Sequence, residues 1–212
     1  ILGKEPLVSA LTQLKMHAED TNAIWADRLG IERSTAITCV KPSGNVSQLN
    51  SCSSGIHPRW SKHYIRTVRG STEDKLCEFM KDQGIPCEPC VMNPQKTVVF
   101  SFPVKSPENC VVRSEISAIE HLEMWKLYQL YFANHKPSIT VSVKEDEWIE
   151  VASWVYKNFD ILSGVSFLPY SDFVYRQAPY QECTEAEYLE AMKSFPESVD
   201  WSKLSDYEHE DN

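Results

Sequence analysis

An apolar, β-branched stretch over residues 34–40 breaks off at Lys41-Pro42-Ser43-Gly44, and Val46 onward can open a helix. No other feature limits the fold of this chain as much. A strand delivered into a glycine turn and then a helix is a building unit of α/β structure. The same turn has the makings of an anion site. It leaves backbone N–H groups free, and the helix dipole adds partial positive charge at the same point. Ser43 and Ser47 add hydroxyls, Gly44 lets a ligand approach the backbone closely, and Lys41 adds a full charge. The expected ligand is a phosphate group. A plain β-to-α turn has the same spacing. The run is neither a Walker loop, since Gly-Lys-Ser/Thr is missing, nor a dinucleotide fingerprint, which needs three glycines.

The rest of the chain continues the alternation. Residues 6–29 carry Leu7, Leu11, Leu14 and Ala18 on one helical face, and Gly30 stands where a helix stops. Tyr64, Ile65 and Val68 predict a partly buried strand within residues 55–70. Residues 73–83 read as a helix ended by Gly84, and Pro86, Pro89 and Pro94 make the next stretch a loop. A strand follows at 97–104 and the clearest helix at 114–133. Residues 138–143 alternate as a strand, and 145–159 form a helix with an acidic opening that suits its dipole. A buried strand at 164–168 and a helix at 184–195 with a Thr184/Glu187 capping box complete the series. Strands separated by helices predict parallel strands in an α/β layer or barrel. Residues 1–206 read as one portion of such a barrel and 207–212 as a frayed acidic tail.

Composition narrows the functional classes. At 212 residues and 42% hydrophobic, the chain can bury a core. A formal net charge of −9 argues against nucleic acid or an anionic membrane surface as partner. No apolar run approaches the roughly 18 residues that span a bilayer. Seven cysteines without scaffold spacing favour a reducing cytoplasm.

Several blocks beyond the turn share one likeness. Lys41-Pro42-Ser43-Gly44-Asn45-Val46-Ser47, Ser54-Gly55-Ile56-His57-Pro58-Arg59 and Tyr64-Ile65-Arg66-Thr67-Val68-Arg69 resemble the adenosylcobalamin-dependent (class II) ribonucleotide reductases. The likeness continues through Val98-Val99-Phe100-Ser101-Phe102-Pro103 and from His135-Lys136-Pro137 to Val143. It recurs at Gly164-Val165-Ser166-Phe167-Leu168-Pro169 and Ala178-Pro179-Tyr180, in the family's own order. The resemblance implies a C-terminal portion of the reductase α/β barrel, cut shortly before the redox tail. The family's Asn-x-Cys-x-Glu loop, with its thiyl-radical cysteine, and its terminal cysteine pair do not occur in this sequence. The effector region is not represented either, so no catalytic residue is expected here. An incomplete barrel would expose strand edges and apolar surface.

By that resemblance the whole enzyme forms a cysteine thiyl radical with adenosylcobalamin and abstracts the ribose 3′ hydrogen. A cysteine pair reduces the 2′ position, and a thioredoxin-like protein recycles the disulfide. The expected partners are therefore a ribonucleotide, that reductant and the remainder of the polypeptide. Pro42, Ser43, Gly44, Asn45, Val46 and Ser47 are expected to hold the substrate phosphates, with Lys41, His57 and Arg59 as pocket cations. Asn45 stands where the family usually has threonine, which leaves triphosphate or diphosphate preference open. The alternative is a stand-alone phosphate- or nucleotide-binding module without chemistry.

Other features have simpler readings. Cys87-Glu88-Pro89-Cys90 has redox spacing but lies in a proline-rich stretch, and two surface cysteines are expected. A small dithiol redox protein built on that pair is a third, weaker hypothesis. His57, Arg59, Lys62, His63, Arg66 and Arg69 form the one basic cluster, either pocket cations or a solvated face, and His57 also suits a structural histidine. Cys39 reads as a small buried hydrophobe and Cys52 as partly exposed. Glu120, His121 and Glu123 offer no convergent metal set, and Trp125, Trp148 and Trp154 read as core.

Overall fold

The computed structural model describes residues 3–44, 46–170 and 175–208. Its helices are α1 (Lys4–Leu29), α2 (Val46–Leu49), α3 (Lys75–Asp82), α4 (Ala118–Tyr131), α5 (Trp148–Lys157), α6 (Glu185–Lys193) and α7 (Leu204–Glu208). Its strands are β1 (His63–Ser71), β2 (Cys87–Pro89), β3 (Thr97–Lys105), β4 (Ser138–Val143), β5 (Gly164–Pro169) and β6 (Tyr180–Glu182). They divide into two compact units, residues 1–59 with 111–171, and residues 60–110 with 172–212.

The first unit is built on β4 and β5, which pair in parallel from Ser138↔Gly164 to Val143↔Pro169. Ile139, Val141 and Val143 of β4 are buried with Leu122 and Trp125 of α4 and Val151 and Trp154 of α5. The Trp125 indole N–H donates to the Pro137 carbonyl at 3.0 Å, so this fully buried ring leaves no orphan donor. Local signals explain where the helices begin and end. Ser117 and Glu120 form a capping box that starts α4. Gly30, at φ 66°, takes the left-handed conformation that ends α1.

The second unit is an antiparallel sheet of order β2-β3-β1-β6. Its β1 and β3 pair from His63↔Lys105 to Ser71↔Thr97. Cys77, Ile85, Val98 and Phe100 form its core, with Met80, Phe102 and Phe195 against them.

The α/β class expected from the sequence holds, and the pairing differs in detail. Parallel strands occur in the first unit, whereas the second is antiparallel. Residues 34–40 are not a strand. They run alongside the start of β4, with backbone bonds from Asn134 N–H to Thr38 O (2.9 Å) and from Ser138 N–H to Val40 O (3.1 Å). The helix after the turn is a single turn. Ser51 adopts φ 48°, and Cys52 N–H to Ser47 O with Ser51 N–H to Gln48 O closes a Schellman motif.

Residues 87–89 form a short edge strand instead of a loop, because Cys87, Glu88 and Pro89 find partners in Phe100, Val99 and Val98. The expected helix at 114–133 starts at Ala118, since residues 113–115 coil as a separate 3-10 turn. Tyr207, at the start of the expected tail, lies in α7, and its hydroxyl donates to Asp82 at 2.8 Å. Residues 209–212 lie outside the described residues. No described helix is long and apolar enough to cross a membrane.

Candidate functional site

The glycine turn lies in the first unit, between residues 38–41 and α2. Gly44 has φ 56°, a conformation that suits glycine, and a Cβ built there would meet nothing within 4 Å. The space in front of it is open. Its N–H meets no acceptor among the described residues. Two nearby backbone donors are committed. Ser43 N–H donates to Ser54 Oγ at 2.9 Å, and Val46 N–H donates to Ser43 O at 3.2 Å.

Ser47 departs from the expectation of an outward hydroxyl. It is buried, and its Oγ donates to Gly44 O at 3.3 Å, which closes the turn from within. Asn45 lies outside the described residues. Lys41 donates from Nζ to Lys136 O at 2.6 Å and to Ser138 Oγ at 2.8 Å, so its ammonium is held at the start of β4. An ammonium has three donors, and two are thus accounted for.

The other expected pocket cations serve as struts. The His57 Nε2 accepts the Thr140 N–H at 2.9 Å, while Nδ1 lies 2.7 Å from Ser54 O. One nitrogen accepts and the other donates, so the ring braces Ser54 against Thr140 in place of the pocket-cation role expected of it. Arg59 is buried, its Nη1 donates to Cys52 O, and its backbone pairs with Val111 and Arg113. Both residues fasten the segment behind the turn, and Gly55 seats it closely. A Cβ on Gly55 would sit 3.0 Å from Lys41 O, at a φ of 60°.

The remaining arginines of the sequence cluster belong to the second unit. Arg66 donates to Pro179 O at 2.9 Å and lies over the Tyr180 ring, and Arg69 donates to Gln177 O at 2.8 Å. They tie the 177–180 segment to β1.

His121 was read only as one member of a non-convergent trio. It is buried, its Nε2–H donates to Ile56 O at 3.0 Å, and its ring meets His57 edge-on at 5.8 Å. Burial, and then the neighbouring His57, push its pKa down to about 4. Glu120 caps α4, and Glu123 accepts the Trp154 indole N–H at 2.7 Å. Trp125 and Trp154 are core, but Trp148 is exposed.

All seven cysteines carry free thiols. Cys87 is exposed, but Cys90 is buried, against the expectation of two surface thiols. Backbone N–H groups of Met92 and Asn93, followed by the Arg69 guanidinium, hold the Cys90 thiol below its ordinary value. Cys39 is half-buried, with its thiol 3.2 Å from Lys136 O, and Cys52 is exposed.

No family model matches the chain. It is 31% identical over 179 residues to the adenosylcobalamin-dependent ribonucleoside-triphosphate reductase of Euglena gracilis, covering 84% of this chain and 25% of that protein. The protein of the same name from Levilactobacillus brevis is 29% identical over 168 residues, covering 77% of this chain and 22% of that one. The chain therefore spans about a quarter of the length of the curated relatives it matches. Among solved structures, the crystal structure of a B-12 dependent (class II) ribonucleotide reductase superposes with a TM-score of 0.80 at 22% identity, covering all of this chain and 30% of that one. The likeness carried by the sequence blocks thus holds along most of the chain, and the fold is that of the corresponding part of the reductase.

Proposed function

We propose that this chain is a segment of an adenosylcobalamin-dependent ribonucleoside-triphosphate reductase, an oxidoreductase that makes DNA precursors. Within it, the turn around Gly44 receives the substrate phosphates. The observation that carries this reading is the likeness to the reductases over 84% of the chain, within which Gly44 stands open and its N–H meets no acceptor among the described residues. The contribution of the segment is positional. A phosphate seated on the Gly44 backbone would be drawn by the remaining Lys41 N–H, and holding it there fixes where the ribose lies. Helix α2 has only four residues, so the turn's own donors, and not a macrodipole, supply the attraction.

Adenosylcobalamin supplies the radical chemistry when bound by the whole protein. Among the described residues no three metal-ligating side chains converge, and His57 and His121 both spend Nε2 on the backbone. The cofactor is bound by the whole protein, and the radical and reducing cysteines are assigned to the remainder of the polypeptide. A thioredoxin-like reductant would act on those cysteines, in the cytoplasm.

Gly44→Val tests the phosphate role. A β-branched residue at φ 56° is strained, and its side chain would fill the open approach. In the full-length polypeptide, KM for the nucleoside triphosphate should rise about tenfold or more, a loss on the order of one phosphate hydrogen bond. An unchanged KM would place the phosphates elsewhere.

A further inference from the structure

We propose that Ser54 and His57 are positioning residues that set the phosphate turn from strand β4. The inference rests on the reading of the Gly44 turn as the substrate phosphate site.

Three hydrogen bonds run in series from the sheet to the turn. Thr140 N–H, on the edge of β4, donates to His57 Nε2 at 2.9 Å. His57 Nδ1–H donates to Ser54 O at 2.7 Å. Ser54 Oγ then accepts the Ser43 N–H at 2.9 Å, directly before Gly44. The imidazole takes the place that a further strand would have on β4. Beyond Val40, whose carbonyl accepts from Ser138, the next outward N–H of β4 is satisfied by a side chain.

The series is braced from other directions. His121 of α4 holds Ile56 O and packs edge-on against His57, while Arg59 holds Cys52 O. Gly55 lies so close to Lys41 O that a side chain there would press on the backbone leading into the turn. The Ser43 N–H is thereby spent internally, while the Gly44 N–H meets no acceptor among the described residues and the Cβ side of Gly44 is open. Ser54 and His57 touch no substrate in this scheme. They fix the direction in which the turn presents its remaining donor, and small displacements of such a group are costly in affinity.

The test uses the full-length polypeptide and initial rates over a nucleoside triphosphate series. Ser54→Ala removes the acceptor for Ser43, and His57→Gln can place its amide oxygen at the Nε2 position for Thr140 but has no N–H at the Nδ1 position that faces Ser54 O. Each should lower kcat/KM about fivefold, the worth of one hydrogen bond, with the loss lying in KM. Ser54→Thr, which keeps the hydroxyl, should restore KM. A merely structural role would not give this split and rescue. His57→Phe removes both bonds and is expected to be the most damaging. Ser54→Ala, at a half-buried position, keeps the inference testable if that variant does not fold. Wild-type KM in Ser54→Ala and His57→Gln, with a raised KM in Gly44→Val, would overturn the inference and leave the phosphate turn standing. A loss confined to kcat would overturn it equally. If Gly44→Val also keeps wild-type KM, the phosphate reading fails and the inference fails with it.

Discussion

The carbonyl of Ile56 accepts the Nε2–H of His121 in a site closed to water, and that bond requires the neutral ring. The unfolded chain takes up a proton near the ordinary histidine value of about 6.5, whereas the folded one does so only near 4. Between these values the unfolded state binds more protons, so stability falls as pH drops through the window and is intact above it. The slope contributed is at most about 1.4 kcal/mol per pH unit. His121→Gln, which still offers a donor to Ile56 but does not titrate, should flatten that slope. Opening free energies from hydrogen exchange at the 52–59 segment, taken at pH 7 and pH 5, would measure it. Equal slopes in the two proteins would remove His121 as the cause. The role of His57 depends on Thr140, 83 positions away, which is why sequence alone left it open between cation and strut.

At the scale of elements, the start of the parallel pair is tight. A Cβ on Gly164 would lie 2.5 Å from Pro137 O and 3.0 Å from Ser138 Oγ, the hydroxyl that accepts from Lys41. Gly164→Ala must push β5 from β4, at a cost of about 1–3 kcal/mol as overpacking. Amides of β4 should then exchange faster by roughly one to two orders of magnitude in the full-length protein. Unchanged protection at Val141 and Val143 would contradict this account. Elements with their own punctuation were legible in the sequence, among them α1 with Gly30, α6 with Thr184 and Glu187, and strands β3 to β5. Those decided by partners were not. Residues 34–40 have strand composition but only scattered backbone bonds to residues 134–138 among the described residues, and β6 is three residues that exist through pairing with β1. The antiparallel unit was hidden because helices also separate its strands, and alternation alone does not set strand direction.

At the scale of the molecule, the apolar stripe of α1 remains incompletely covered. Leu7 and Leu11 are at least partly buried, but Leu14, Trp25 and Leu29 on the same face are exposed. The proposed reading, a segment about a quarter the length of its relatives, accounts for such a face. It also fits a sequence that carries the glycine turn without the family's Asn-x-Cys-x-Glu loop. The glycine turn was legible from Lys41-Pro42-Ser43-Gly44, yet the inward hydroxyl of Ser47 and the Ser54 and His57 supports were not, because they depend on how the 52–59 segment returns to β4. The central claim concerns the whole polypeptide, and it is tested most directly by deoxynucleotide formation. The full-length protein would be assayed anaerobically on a nucleoside triphosphate with a dithiol reductant, with and without adenosylcobalamin. The account predicts product only when the cofactor is present; product without it, or none under either condition, would contradict it.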